Sequence, residues 1–197
     1  MTFKIFDLWD VSEIKVEDPG LKRYINLDAK LLIKSHGRER EKFGRAKVNI
    51  VERLISLLQV PGHRGKKHRI MTHWASGKYS QKAKIVIEAF KKIESELKQN
   101  PILVFVKAVE NAAPMDEITV IEYGGARYPQ ACDISPLRRL NIVLRNIVHG
   151  AYDKSFNKKA TIAEALAKEI MLTYQKSSES FAMSKKNELE KQADAAR

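Results

Sequence analysis

The chain has 197 residues, a formal net charge of +12 at pH 7 and 44% hydrophobic residues, which suits one domain with a sizeable core. No apolar run approaches the ~20 residues that a membrane-spanning helix needs, and the N-terminus lacks the pattern of a signal peptide. We therefore expect a soluble cytoplasmic protein without membrane contact. The single cysteine, Cys132, excludes an internal disulfide and a Cys-Cys metal site; we interpret it as a half-buried strand residue.

The positive charge is concentrated in one part of the chain. Residues 46–100 hold 12 Lys and Arg against four Asp and Glu, and no acid lies between Glu52 and Glu88. The rest of the chain is nearly balanced. A basic zone on an otherwise balanced protein is typical of a surface that binds a polyanion, above all a nucleic acid.

The first half of the chain predicts short elements around this basic zone. Residues 3–9 are compatible with a short edge strand, and residues 25–36 with a short helix. Residues 37–45 read as a charged loop or arm. Residues 46–59 have apolar side chains at helical spacing. The stretch 62–84 has three glycines and no acid, and its first half is interpreted as a loop laid on a partner.

The second half begins with two helices and a β-ribbon. A helix is predicted from about residue 80, and an almost wholly apolar helix starts at Pro101 and belongs in the core. Two strands then form a ribbon at about residues 116–134. The pair Gly124-Gly125 between them fits a two-residue hairpin turn. A lone ribbon is marginal in water, so this one packs on helices or projects to a partner.

The ribbon leads into a helix that starts at Ser135-Pro136, a typical N-cap and first position. One face is apolar, and the other is predicted to present a polar row: Arg138, Asn141, Arg145 and His149. An amphipathic helix over residues 160–174 and a polar helical tail follow. The sequence thus predicts a mainly α fold, a bundle of about six helices with an inserted, protruding β-hairpin ribbon. Residues 1–45 are predicted to form an N-terminal extension, and residues 46–197 a helical domain. The sequence does not decide whether the C-terminal helix of this domain is ordered or mobile.

Enzymatic and metal chemistry find little support in the sequence. There is no complete phosphate-binding loop, no HExxH zinc motif and no nucleophile elbow. The sequence Gly65-Lys66-Lys67 matches only half of a phosphate-binding loop. Three imidazoles, those of His63, His68 and His73, could in principle bind a metal ion. Their neighbours in the sequence are basic, however, and no nearby acid would neutralise the charge of a dication. We expect no enzyme activity, no cofactor, no metal and no small-molecule substrate.

Three aromatic residues, Trp74, Tyr79 and Tyr128, lie among basic residues. Such rings stack on unpaired bases. A position at the edge of the core is an equally good interpretation for Trp74 and Tyr79. Tyr128, which follows Arg127 in the second strand, is the better candidate for nucleic-acid contact.

Several segments together resemble the universal small-subunit ribosomal protein S-seven family in its archaeal and eukaryotic form. They are "NIVERLISLL" with "GHRGKK", "KIVIEAFKKI", "NPILVFVKAVENAAP", "YGGARYPQACDISPLRRLNIVLRNIVHGA" and "KKNELEKQADAAR". The Gly-Gly hairpin leading into "DISPLRR" is the most diagnostic. The chain departs from the shorter bacterial pattern because "HRIMTHWASGKYSQKA" precedes the helix, with a second Gly-Lys at Gly77-Lys78. Both Gly-Lys sites therefore stay candidates for the family's role.

The resemblance implies a helical bundle with a protruding ribbon and a structural role in the ribosome. The protein would bind the 3′ major domain of small-subunit rRNA and nucleate assembly of the head. It would lie at the subunit interface beside neighbouring ribosomal proteins, with the ribbon near the exit-site tRNA and the mRNA exit path.

Folded RNA is recognised mostly through backbone and shape, which calls for Lys and Arg on several elements. The candidate rRNA-binding residues are Arg38, Arg45, Lys47, Arg53, Arg64, Lys66, Lys67, Arg69, Lys78, Lys82, Lys84, Arg138, Arg139 and Arg145. The candidate ribbon tip on the tRNA and mRNA side comprises Gly124, Gly125, Arg127 and Tyr128.

We hypothesise that Arg127 contacts RNA from the ribbon and that Arg138 and Arg139 contact it from the helix. Reversing both helix charges is then predicted to weaken RNA binding well over tenfold. The alternative function is a helical DNA-binding protein that reads bases with Arg138, Asn141 and Arg145. An RNA-processing enzyme is disfavoured, because residues 53–87 contain no carboxylate.

Overall fold

The computed structural model describes residues 4–29, 42, 44–64, 67–68 and 75–197, with the backbone alone at 63–64 and 67–68. Its elements in chain order are α1 (Pro19–Lys22), a 3-10 turn (Gly44–Lys47), α2 (Ile50–Leu58), β1 (His63–Arg64), β2 (Lys67–His68), α3 (Tyr79–Leu97), α4 (Pro101–Ala112), β3 (Asp116–Tyr123), β4 (Ala126–Asp133), α5 (Pro136–Ser155), α6 (Ile162–Tyr174) and α7 (Phe181–Asp194). The predicted fold class, a mainly helical bundle with a β-hairpin, is confirmed.

The core lies where α6 packs against α3, α4 and α5. Phe90 of α3 and Phe105 of α4 meet at its centre, with ring centroids 5.8 Å apart. Local signals set the helix starts: Asn100 caps α4 by accepting from the amide of Ile102 (3.0 Å). Thr161 and Glu164 form a capping box at α6. None of the helices in the described ranges is long and apolar enough to cross a membrane.

The N-terminal segment differs from its prediction. Residues 5–9 form a tight turn instead of an edge strand: the amide of Ile5 donates to the carbonyl of Trp9 (2.9 Å), and Phe6 and Asp7 have positive φ. Positive φ reverses the chain direction, which an extended strand cannot do. Residues 25–29 are not helical, and the rest of the predicted helix 25–36 lies outside the described residues.

This N-terminal segment shares the core of the helical bundle. Ile5, Trp9 and Leu21 are buried in the same hydrophobic cluster as the helices. Trp9 packs edge-on against Phe90, with centroids 5.7 Å apart, and its Nε1 donates to the Glu94 carboxylate (2.9 Å). The division at residue 45 stays a prediction, and the described part of the first segment is packed on the second.

The helix predicted from residue 46 starts later, at Ile50. Residues 44–47 form the 3-10 turn, and Asn49 then caps α2 by accepting from the amide of Val51 (2.9 Å). Apolar spacing cannot separate a 3-10 turn from the first turn of an α-helix, so the prediction began too early. The basic stretch predicted as a loop also contains a small hairpin, in which His63 pairs with His68.

The ribbon has the predicted form. β3 and β4 pair in antiparallel register from Asp116 opposite Asp133 to Tyr123 opposite Ala126. The connecting Gly124 and Gly125 have φ of +59° and +83°. This left-handed conformation is what a two-residue hairpin turn with the native strand twist requires, and it favours glycine.

The C-terminal helix α7 is docked on α5 and on the base of the ribbon. The buried carboxylate of Glu169 accepts from the hydroxyl of Ser180 (2.8 Å) and the amide of Ala182 (3.2 Å) at the start of α7. Lys154 donates to the same carboxylate (2.5 Å). Arg197 pairs with Asp116 of β3 (2.6 Å). The tail is therefore tied both to the helical body and to the ribbon.

Candidate nucleic-acid interface

The candidate interface is built on α2 and α5, which lie side by side and run in the same direction. Near the start of both, the Arg53 guanidinium donates to the side-chain oxygen of Asn141 (3.0 Å). Near their ends, the Tyr152 hydroxyl donates to the carbonyl of Leu58 (3.1 Å). These two bonds fix the relative position of the helices and of the basic side chains along them.

The first turn of α3 completes the surface. Lys82 donates to the Tyr152 hydroxyl (2.8 Å) and lies 5.5 Å from the centre of its ring. Arg145 lies on α5 between Asn141 and Tyr152, one turn from the first and two turns from the second. We define the basic band as the surface of Arg45, Lys78, Lys82 and Arg145 along these elements, with Arg53 beneath it.

The band has an uncompensated positive charge. Arg53 is only 6% exposed, and burial, followed by the charge of Arg45, lowers its pKa to about 10. Burial, followed by the charge of Lys78, also lowers the pKa of Lys82. No ion pair joins the four band residues or Arg53 to a carboxylate within the described ranges. An anion bound there would relieve the repulsion between the cations.

The acid next to the band is buried, which disfavours its charged form. Glu52 of α2 is fully buried, and burial raises the pKa of its carboxyl. Burial raises the pKa of the Tyr152 phenol to about 12 in the same way, which keeps that hydroxyl a donor at neutral pH. The band is thus cationic and hydrogen-bonding over its length.

The candidate residues divide by exposure. Arg45, Lys47, Lys78, Lys84 and Arg145 are exposed, and Lys82 is half-buried. Lys84 follows Lys82 by two residues, so it lies on the opposite side of α3 and outside the band. The other candidates, Arg38, Lys66 and Arg69, lie outside the described residues, as do the side chains of Arg64 and Lys67. His73 and Trp74 lie outside them too.

Two of the candidate rRNA-binding residues, Arg53 and Arg139, do not lie on the protein surface. Both are buried, at 6% and 8% exposure. Arg139 donates from Nε to the carbonyl of Pro114 (3.0 Å) and pairs with the Asp18 carboxylate (2.9 Å). Its charge therefore joins the N-terminal segment to the base of the ribbon, and we remove it from the RNA interface. Arg53 lies beneath the band rather than on it.

The neighbouring Arg138 also has a partner inside the protein. It is exposed but pairs with Glu117 of β3 (2.6 Å), and this hydrogen bond raises its pKa. Successive residues on an α-helix point about 100° apart, so the twin arginines reach different partners. The hypothesis that both contact RNA from the helix is not supported for Arg139, whose charge lies inside the protein, and Arg138 has a carboxylate already bound.

The predicted polar row on α5 is also corrected. Asn141 turns towards Arg53, and His149 is only 7% exposed. Of the four residues in the row, only Arg138 and Arg145 are exposed. Helical spacing places such residues on one side, but a wide helix face can be half covered by neighbouring elements.

The ribbon has the opposite charge to the band. Residues 116–133 contain four acids and one cation, and that cation, Arg127, lies 3.7 Å from the Glu122 carboxylate across the strands. The tip residues Gly124, Gly125 and Tyr128 are exposed, and their position on the tRNA and mRNA side stays a prediction. Cys132 is half-buried, as expected.

One exposed aromatic of the ribbon escaped sequence reasoning. Tyr123 is 81% exposed, and it ends β3 just before the glycine pair. A large aromatic at the tip of a predicted protruding hairpin was the signal that could have identified it. With Tyr128 it gives the outer ribbon two exposed rings on an acidic element.

Comparison with known proteins identifies the family. The family model described as ribosomal protein S7p/S5e matches residues 21–197. The small ribosomal subunit protein uS7 of Nanoarchaeum equitans is 49% identical, and the match covers the whole of both chains. The chain belongs to this family. Proteins of the same name from Methanothermobacter thermautotrophicus and Methanosphaera stadtmanae are 44% and 42% identical, over 98% and 100% of each chain.

Family membership makes the chain a constituent of the small ribosomal subunit and not an enzyme. Ribosomal RNA and other ribosomal proteins are its partners, and the expected location in the cytoplasmic small subunit agrees with this. Membership also disfavours the alternative of a DNA-binding protein. Ribosomal RNA is therefore the polyanion that the basic band is suited to bind.

Proposed function

We propose that the protein binds the 3′ major domain of small-subunit rRNA through the basic band and nucleates assembly of the head. We further propose that its ribbon lies near the exit-site tRNA and the mRNA exit path. The observation that supports rRNA binding is the band itself, a row of cations from the 3-10 turn, the start of α3 and α5 without carboxylate partners in the described ranges.

The physical argument rests on how RNA is recognised. The phosphate backbone attracts cations without regard to sequence, and the gain comes from counterion release. Cations that already have a carboxylate partner release less free energy on binding, because that pair must be broken or shared. Cations supplied by several neighbouring elements match a run of phosphates on folded RNA.

The first experiment measures binding to a head-domain rRNA fragment across a salt series, with duplex DNA as competitor. Four phosphate contacts predict a slope of log K against log salt of about −2.8. We expect tight binding that duplex DNA does not displace. Equal affinity for rRNA and DNA would contradict the proposal and restore the DNA-binding alternative.

A variant pair assigns the binding to the band. Lys78→Glu with Arg145→Glu is expected to lower rRNA affinity about 100-fold, because two contacts are lost and two repulsions gained. Lys168→Glu with Lys191→Glu, exposed positions on α6 and α7, makes the same change in net charge away from the band. Equal losses in both pairs would mean that net charge alone drives binding.

The ribbon part of the proposal needs a proximity measurement. Ala126→Cys in a Cys132→Ser background allows an iron chelate to be tethered at the ribbon tip of the assembled subunit. Hydroxyl radicals generated there should cleave exit-site tRNA or the emerging mRNA. Cleavage confined to rRNA would contradict the proposed ribbon position while leaving the role of the band intact.

A further inference from the structure

A cavity of about 590 Å³ lies where the N-terminal segment meets the 3-10 turn. Sites that hold a small organic ligand commonly have volumes of roughly 300–1,000 Å³. Among the described residues, the lining consists of three cations, an aromatic, an amide and one small residue, without an acid: Arg23, Lys42, Lys47, Tyr24, Asn26 and Ala46.

Hydrogen bonds between distant segments fix the walls of this cavity. The Asn26 side chain donates to the carbonyl of Lys47 (2.5 Å), and the amide of Ile50 donates to the carbonyl of Asn26 (3.0 Å). The Asn49 side chain donates to the carbonyl of Asp28 (2.6 Å). Residues 26–28 are thereby attached to the start of α2. A site with fixed walls loses little conformational freedom when a ligand enters.

The charge around the cavity favours an anion. Arg53, almost fully buried, donates to the carbonyl of Tyr24 (3.4 Å) and so lies directly behind the wall. Its partners are neutral oxygens, and Arg45 adds a second charge nearby. Asp28 is exposed and does not line the cavity. A buried cation without a counter-charge is costly, and a bound anion would offset that cost.

We propose that this cavity binds one unstacked nucleotide of RNA. Its phosphate lies among Arg23, Lys42 and Lys47, and its base stacks on Tyr24. Proteins that read folded RNA commonly take splayed-out bases onto aromatic rings and hold the flanking phosphates with cations. The inference rests on the proposed rRNA binding and deepens it, because it assigns to the N-terminal segment a nucleotide site separate from the basic band.

The first test locates the base. The full-length protein is bound to the head-domain rRNA fragment, irradiated with ultraviolet light and digested, and nucleotide adducts on peptides are mapped by mass spectrometry. We expect a mononucleotide adduct at Tyr24. Tyr24→Leu should weaken binding about tenfold through lost stacking, whereas Tyr24→Phe should retain affinity. Circular dichroism and thermal melting establish that each variant is folded.

The second test counts the phosphate contacts. Arg23→Ala with Lys42→Ala should lower rRNA affinity about tenfold and make the salt slope shallower by about 1.4. Lys22→Ala with Lys191→Ala is the matched control, because both lysines are exposed, do not line the cavity, and one adjoins Arg23. The control pair should keep the wild-type slope.

The outcomes separate this proposal from the one on which it rests. If the wild-type protein does not bind the rRNA fragment selectively, the proposed function fails. If the band variants lose affinity while the cavity variants keep both affinity and slope, the nucleotide site is overturned and the proposed function stands. If only the Arg23 and Lys42 pair loses affinity and Tyr24→Leu does not, the nucleotide site is likewise overturned, because a phosphate contact without base stacking remains.

Discussion

The basic band and the ribbon use the same residue type for opposite purposes. Arg45 and Arg145 of the band have no carboxylate partner within the described ranges, whereas Arg127, Arg138 and Arg197 each pair with an acid of the ribbon. Paired arginines stabilise the protein's own structure, and unpaired ones keep their charge for a partner. Net charge by itself does not distinguish the two.

The difference between Arg138 and Arg139 gives the same lesson over one residue. Arg138 is exposed and pairs with the ribbon strand, while Arg139 is buried between the N-terminal segment and the start of the ribbon. A basic dipeptide in a sequence is therefore not one functional unit when it lies on a helix. The predictions that follow test this division between structural and binding arginines.

The largest expected effect is on stability. Arg139→Ala should lower the free energy of unfolding by about 3 kcal/mol, because it leaves the Asp18 carboxylate and the Pro114 carbonyl without their partner. Arg145→Ala, an exposed position without an ion pair in the described structure, should cost less than about 0.5 kcal/mol. Urea unfolding of both variants measures the two losses in the free energy of unfolding. Similar losses would contradict the division into structural and binding arginines.

The next effect is on RNA affinity. Arg145→Glu should weaken rRNA binding about tenfold, because in the proposed complex the charge that it reverses would face a phosphate. Arg127→Glu should change affinity less than about threefold, since Glu122 already offsets that charge. Binding at one fixed salt concentration suffices. A larger loss for Arg127→Glu would assign the ribbon, rather than the band, to rRNA.

A third prediction concerns the ribbon turn. Gly124→Ala and Gly125→Ala should each destabilise the folded turn by about 1–2 kcal/mol, because a residue with a Cβ is strained at positive φ. The strain is in the backbone, since the added Cβ meets no atom within 4 Å. The cost should stay local, so that ribbon amides exchange faster while the melting temperature changes little.

Gly150→Ala is the contrasting variant to the turn glycines. Its Cβ would lie 2.8 Å from the Cβ of Phe181 in α7 and 2.9 Å from the Glu169 carboxyl carbon. Overlap inside a packed core lowers global stability, typically by about 1–3 kcal/mol. Its melting temperature should therefore fall, and unchanged melting would show that α7 moves freely enough to absorb the overlap.

The smallest effect is a pH dependence beside the band. Because the native pKa of Glu52 is raised, the native state holds the proton more tightly than the unfolded state. Its contribution to stability is therefore lost as pH rises from about 4.5 through the raised native pKa. The free energy of unfolding of Glu52→Gln, relative to wild type, should therefore be higher at pH 7 than at pH 4. Parallel curves for the two proteins would contradict this.

The sequence predicted the elements with strong local signals. Ser135-Pro136, Asn100-Pro101 and the glycine pair at 124–125 each mark a start or a turn that the backbone there requires, and the structure has all three. The basic zone identified the class of partner, since charge is a property of composition. Where the local signals were weak, the prediction was wrong. The edge strand expected near residues 3–9 is a turn at residues 5–9, which has positive φ at Phe6 and Asp7 although neither residue is a glycine.

The sequence by itself determined the helical class, the ribbon and the polyanionic partner, because periodicity, caps and charge are written in neighbouring residues. Only the tertiary structure decided which cations face a partner. Arg53, Arg138 and Arg139 find their oxygens on residues that are 21–121 positions away in the chain. Such pairings depend on how the helices pack, and packing is set by the whole core rather than by any local stretch.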